Sequence, residues 1–88
     1  MYQKGFLTDI NTEKGMFPNE KIVKTKTYEG EKISGFFDKD CIKKQGLEIW
    51  ILAQKEDKVM IIPIGGKFLN EGQDKIVIVN KDALTYLR

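Results

Sequence analysis

Two apolar stretches decide the fold of this chain: Leu47-Glu48-Ile49-Trp50-Ile51-Leu52-Ala53 and Val59-Met60-Ile61-Ile62-Pro63-Ile64. Both are rich in β-branched and aromatic side chains, which fit a pleated sheet. Apolar runs of this length that are bounded by polar turns are typical of strands buried on most of both faces. The polar segment 54–58 between them is short enough for a hairpin loop, so we expect the two strands to be antiparallel neighbours.

Weaker strand signals lie on both sides of this hairpin. Alternating or β-branched residues predict further strands at 5–10, 21–28, 32–37 and 75–79. Asn11–Gly15 has the composition of a turn, and the apolar Met16 and Phe17 after it are expected to tuck under the sheet. Gly35 within a strand suggests a bulge or a corner of a closing sheet.

Two short helical segments are predicted from their capping residues. Asp38 is expected to cap one helical turn, and Asn80 to cap a short C-terminal helix. The residues that follow each cap echo one another, because Asp38–Ile42 and Asn80–Leu84 share the pattern [Asp/Asn]-Lys-Asp-small-aliphatic. Such an echo is expected from a duplicated unit with pseudo-twofold symmetry. It is equally expected from two strand ends that share capping chemistry, and the sequence leaves both explanations open.

These signals predict one all-β domain over residues 1–88. A chain of 88 residues has room for one core, and its 41% hydrophobic and 32% charged residues are typical of a folded soluble protein. We expect five to seven short strands with one or two short helical turns. An SH3-like or related small β-barrel or sandwich is the leading architecture.

Composition argues against several classes of function. The chain has no histidine and one cysteine, so it cannot form an intramolecular disulfide or a His/Cys metal site of its own, and most schemes of nucleophilic catalysis lack their usual base. We therefore expect no enzymatic activity, no metal and no cofactor. No apolar run approaches the ~20 residues that span a bilayer, and the first residues lack the apolar segment of a signal peptide. We expect no membrane association and a cytoplasmic location.

Cys41 has two interpretations. Neighbouring lysines and a helical turn would activate a reactive thiol. The alternative is a small apolar residue packed under the turn, in the position that Ala83 holds in the second half of the chain. The absence of a base favours packing.

The central strands also predict a binding surface. Trp50 and Leu52 alternate with the core-facing positions of their strand, so they belong to the other face. Met60, Ile62 and Ile64, or the residues that alternate with them, would extend this face. An exposed apolar face of this kind marks a surface for a protein partner or a second copy. The same face would instead be covered if residues such as Phe68 or the C-terminal helix lay over it. The leading functional prediction is a non-enzymatic binding module that acts through this face.

A second surface gives the alternative function. Lys24, Lys26 and Tyr28 share one face of a predicted strand, and Phe36 joins them from the next strand. Lysines beside aromatic rings can hold a single nucleic-acid strand by phosphate attraction and base stacking, although an ordinary solvated strand face has the same composition. The net charge is only +2 and Arg88 is the only arginine. Any nucleic-acid binding is therefore expected to be weak and tolerant of sequence.

Overall fold

The computed structural model describes residues 2–69 and 76–87, which form an all-β chain. The described residues contain ten strands, more than the five to seven expected. In chain order, the strands are β1 (Gln3–Leu7), β2 (Asn11–Lys14), β3 (Glu20–Lys26), β4 (Lys32–Asp38), β5 (Ile42–Lys43), β6 (Gly46–Lys55), β7 (Lys58–Pro63), β8 (Gly66–Leu69), β9 (Val77–Asn80) and β10 (Leu84–Tyr86). Two short 3₁₀ turns, Lys39–Cys41 and Lys81–Ala83, precede β5 and β10.

The strands form two sheets in which every pairing is antiparallel. Sheet A has the order β10-β1-β6-β7-β9, and β5 pairs with one end of β6 beside β7. Sheet B has the order β2-β3-β4-β8. Each sheet combines strands from both halves of the chain: β1 and β5 join the second-half strands in sheet A, and β8 joins the first-half strands in sheet B.

The predicted central hairpin is confirmed. Strands β6 and β7 are antiparallel neighbours in the middle of sheet A, and the turn between the paired residues Lys55 and Lys58 has two residues. The pairing shifts register between Ile51 and Ala53, so β6 carries a bulge at Leu52. A bulge of this kind lets two residues of one strand face one residue of its partner.

The two sheets share one hydrophobic core. Alternating residues of most strands point into it, as period-2 patterning requires, whereas the residues of β2 are all exposed. Phe37 of β4 and Phe68 of β8 stack edge to face with their ring centroids 4.9 Å apart. The buried members of the core cluster are Leu7, Val23, Ile33, Phe37, Leu47, Ile49, Ile51, Val59, Ile61, Phe68, Val77, Val79 and Leu84.

Four local expectations were wrong. Residues 11–14, predicted to turn, form strand β2, because their backbone pairs with β3 although their side chains are polar and exposed. The predicted C-terminal helix is the single 3₁₀ turn Lys81–Ala83 followed by strand β10, whose backbone pairs with β1. Met16 and Phe17 lie at the surface with 80% and 65% of their area exposed. Gly35 lies in unbroken register with its neighbours, and a side chain there would collide with the backbone of β8, so close strand approach explains this glycine.

The two capping predictions are confirmed and the caps match each other. The Asp38 side chain accepts a hydrogen bond from the backbone N–H of Asp40 at 3.0 Å. The Asn80 side chain accepts one from the N–H of Asp82 at 2.9 Å. Both cap residues are extended, with φ/ψ of −62°/131° and −75°/141°. Each turn then leads directly into a short strand of sheet A.

Candidate binding surfaces

The outer side of sheet A carries a continuous group of apolar side chains, which we call the apolar face. Exposed or half-buried residues alternate with core residues along β6, β7 and β9. Trp50, Met60 and Ile78 are 39%, 36% and 42% exposed. The members of the apolar face are Trp50, Leu52, Met60, Ile62 and Ile78.

Strand register brings these residues together. Trp50 of β6 lies directly opposite Ile62 of β7, and Met60 of β7 lies opposite Ile78 of β9. Directly opposite side chains in antiparallel strands are about 5 Å apart, so the face is contiguous across three strands. The bulge at Leu52 sets Ala53 opposite Met60, which adds a further apolar side chain to this row.

One ion pair borders the apolar face. Lys4 of β1 lies opposite Trp50, and its Nζ lies 2.7 Å from the carboxylate of Glu48. The Glu48 side chain is only 14% exposed. Lys43 approaches the same carboxylate at 3.9 Å. The acid therefore has its basic partners within the chain. At the hairpin end of the same side, beyond Ala53 and Met60, Lys55 and Lys58 lie opposite each other.

The sequence predicted four of the five residues of the apolar face. The structure brings Trp50, Leu52, Met60 and Ile62 onto one side of sheet A. The alternation along β6 indicated this for Trp50 and Leu52, whereas the apolar run of β7 left open which of its residues would join them. Ile78 was missed because the run around it is apolar on both faces, so only the pairing of β9 with β7 reveals which side it occupies. Phe68, the lid considered above, is buried in the core instead, and the C-terminal segment pairs at the edge of sheet A through β10.

The outer side of sheet B has a different chemistry, and we call it the basic face. Strands β3 and β4 set Lys24 opposite Ser34 and Lys26 opposite Lys32. Strand β8 adds Lys67 opposite Phe36, and Leu69 opposite Ser34. The basic face consists of Lys24, Lys26, Lys32, Ser34, Phe36, Lys67 and Leu69.

Two grooves border the basic face. The larger, of about 590 Å³, is lined by Asp9, Asn11, Lys24, Thr25, Lys26, Lys32, Ile33 and Ser34. The other, of about 410 Å³, is lined by Phe36, Gly66, Lys67 and Leu69. A lysine-rich groove therefore adjoins a groove with an exposed aromatic ring.

Tyr28 does not belong to the basic face, contrary to the sequence prediction. Strand β3 ends at Lys26, so the alternation that placed Tyr28 beside the lysines does not continue to it. Its backbone N–H donates to the carbonyl of Ile78 at 2.7 Å, and the Lys58 ammonium lies 5.2 Å from its ring centroid. Tyr28 therefore helps to join the end of β3 to strand β9 of sheet A. Phe36, 40% exposed, is the aromatic residue of the basic face.

Cys41 is packed as predicted, together with Ala83, against the edge of the core. Burial raises the pKa of its thiol, and the nearby carboxylates of Glu48 and Asp38 raise it further. A raised pKa disfavours the reactive thiolate. Within the described residues, no group of three or more histidine, cysteine, aspartate or glutamate side chains has the geometry of a metal site. None of the helical segments described has the length and hydropathy to cross a membrane.

Comparisons of the chain with protein-family models, with curated proteins and with solved structures find no match. Function is therefore inferred below from the geometry and charge of the two faces.

Proposed function

We propose that this protein is a non-enzymatic binding module that self-associates through the apolar face of sheet A. The observation that carries the proposal is the contiguity of the face. Trp50, Met60 and Ile78 lie on three hydrogen-bonded strands, and each keeps more than a third of its surface exposed. An apolar patch of this kind on a sheet is stabilised when a second layer covers it.

A second copy is the partner that best fits the charge of this face. In a twofold dimer, the same patch meets itself, so it must tolerate its own charges. The Lys4–Glu48 ion pair is closed within one chain at 2.7 Å. This ion pair therefore brings no unpaired charge to a stack of two apolar faces, and the facing lysines Lys55 and Lys58 lie beyond Met60 at the hairpin end. Two basic faces would instead set their lysines against each other.

The expected contribution of Trp50 follows from its exposure. It is 39% exposed, which is about 100 Å² of a tryptophan surface of roughly 250 Å². Burial of that area at about 25 cal/mol per Å² contributes about 2.5 kcal/mol from each chain, before the entropic cost of association is subtracted. Loss of this side chain from both copies should therefore weaken a dimer by well over tenfold.

Sedimentation equilibrium tests the proposal. We expect the wild-type chain to dimerise reversibly and Trp50→Lys to remain monomeric, because the substitution places a charge in the centre of the interface. Phe17→Lys is the matched control, since Phe17 is more exposed, at 65%, and lies outside the apolar face. A wild-type chain that stays monomeric at all concentrations contradicts the proposal. Equal loss of association in both variants also contradicts it, because it would indicate nonspecific hydrophobic contact.

We also propose the finer architecture, an SH3-like small barrel built from two related halves. Its support is the order of elements, because residues 3–43 and 46–86 each contribute five strands with one capped 3₁₀ turn between the fourth and fifth. Matching caps at Asp38 and Asn80 add to this support. An experimental structure whose two halves fail to superpose would refute the duplication.

A cytoplasmic location is likewise a proposal. Its support is the presence of one cysteine in the chain, because small domains of oxidising compartments commonly carry several disulfides. Fractionation of cells that express the tagged chain tests the location, and recovery outside the cytoplasm would contradict it.

A further inference from the structure

We propose that the basic face of sheet B is a second binding site, whose ligand is single-stranded nucleic acid. This site goes beyond the proposed self-association. It lies on sheet B and the apolar face on sheet A, so binding at the basic face does not require the dimer. Three observations carry the proposal: a pair of facing lysines, further lysines on the same face, and an exposed aromatic ring.

The facing lysines are Lys26 and Lys32. They are directly opposite each other on β3 and β4, an arrangement in which like charges destabilise a sheet. Neither side chain has an acidic partner within 4.0 Å among the described residues, whereas Lys24 pairs with Glu13 at 3.1 Å. An anion bound between Lys26 and Lys32 would remove this repulsion, so the pair favours a phosphate ligand.

Positive charge on the outer side of sheet B is concentrated at one end of β3 and β4. Four lysines, at positions 24, 26, 32 and 67, belong to the basic face, and Lys24 pairs with Glu13. Asp9 lines the larger groove. Glu20 and Asp38 lie opposite each other at the other end of β3 and β4, away from Lys26 and Lys32. Successive outward residues of one strand are about 6.6 Å apart, and neighbouring strands about 4.8 Å apart. The lysines therefore offer several contacts to an extended chain of phosphates.

The aromatic ring favours a nucleic acid over other polyanions. Phe36 is 40% exposed, lies opposite Ile22 and Lys67 in the sheet, and lines the groove beside Leu69. Bases stack on such rings without regard to sequence, while phosphates contact the lysines beside them. Bases within a duplex are already stacked on one another, so the exposed ring selects a single strand.

Fluorescence anisotropy with labelled oligothymidylate and oligouridylate tests the proposal. We expect salt-dependent binding whose log–log slope becomes shallower by about 1.4 in Lys26→Gln/Lys32→Gln, since each lost phosphate contact on a single strand removes about 0.7 from it. The charge-matched control is Lys44→Gln/Lys81→Gln, which removes two exposed lysines outside the basic face. This control should keep the wild-type slope, apart from the general effect of losing two positive charges.

Phe36→Ala tests the stacking separately from the charge. It should weaken binding about fivefold or more, the lower end of the contribution of one base stacked on an aromatic ring, and leave the salt slope unchanged. Far-UV circular dichroism of each variant verifies that the sheet is intact.

Several results would overturn the proposal. These are no binding at low salt, equal loss in the control pair, unchanged affinity in Phe36→Ala, or equally tight binding of duplex DNA or polyglutamate. The last result would reassign the face to polyanions or acidic proteins in general. Each Trp50→Lys chain should bind the oligonucleotides with the same affinity as a wild-type chain. Failure of this site and failure of self-association are therefore distinguishable.

Discussion

Phe36 and Phe37 are adjacent residues of the same type on opposite sides of β4, and they offer a sharp test of the fold. Phe37 is 1% exposed and packs against Phe68 in the core, whereas Phe36 is 40% exposed on the basic face. We predict that Phe37→Ala destabilises the protein far more than Phe36→Ala. The two substitutions remove the same atoms, so any difference between them reports which face is buried.

The expected magnitudes follow from burial. A buried phenylalanine truncated to alanine costs about 3–5 kcal/mol, because apolar contacts are lost and a cavity remains. A domain of 88 residues has a total stability of about 4–13 kcal/mol. Phe37→Ala should therefore remove about a quarter or more of the free energy of unfolding. Phe36→Ala leaves no enclosed cavity, and we expect a loss of about 1 kcal/mol.

Urea denaturation at one fixed protein concentration is the assay, with Trp50 fluorescence and far-UV circular dichroism as the two probes. Trp50 belongs to sheet A and Phe37 to sheet B. If the two sheets share one core, the urea midpoints measured by both probes should fall together in Phe37→Ala. The expected fall is more than about 1 M urea for typical denaturant slopes. Equal effects of the two substitutions would refute the assignment of faces. A Trp50 transition that does not respond to Phe37→Ala would refute the shared core.

Three further predictions concern single sites. Gly46→Ala should cost about 3 kcal/mol or more in thermal or urea unfolding, because Gly46 has φ of 135° and a side chain there would collide with a backbone carbonyl of β1. Gly30→Ala, with φ of 89° and open space around it, should cost about 1 kcal/mol, and equal costs would contradict the packing at the start of β6. Cys41 should react with iodoacetamide at pH 8 more slowly than glutathione, because burial and nearby carboxylates raise its pKa; a faster reaction would contradict the packed thiol. Lys4→Met/Glu48→Leu should tighten self-association in sedimentation equilibrium by removing the bordering ion pair, whose desolvation opposes burial, and weaker association would place the interface elsewhere.

The sequence predicted the parts of the fold that depend on strong apolar patterning. The hairpin of β6 and β7 was predictable because its strands are long and β-branched. Strands such as β2 and β5 were not, because two to four mostly polar residues carry no periodic signal and their pairing depends on the backbone of distant strands.

The residues of the candidate surfaces were likewise predictable where the pattern within one strand is strong. The alternation of residues along β6 was enough to predict that Trp50 is exposed, because the other face of that strand carries the core residues. The same alternation placed Tyr28 on the wrong face, because the sequence gives no sign that β3 ends at Lys26. Lys32, Lys67 and Ile78 were missed because cross-strand register, which no local pattern encodes, brings them to their faces.

The central claim is that the outer side of sheet A is covered by a second chain in solution. Trp50 is the only tryptophan of the chain, so its fluorescence reports on this face alone. The most direct measurement follows its emission maximum and its quenching by acrylamide as the protein is diluted. We predict a red shift and stronger quenching on dilution, at the concentrations where sedimentation detects dissociation. Emission and quenching that do not change with concentration would contradict the claim.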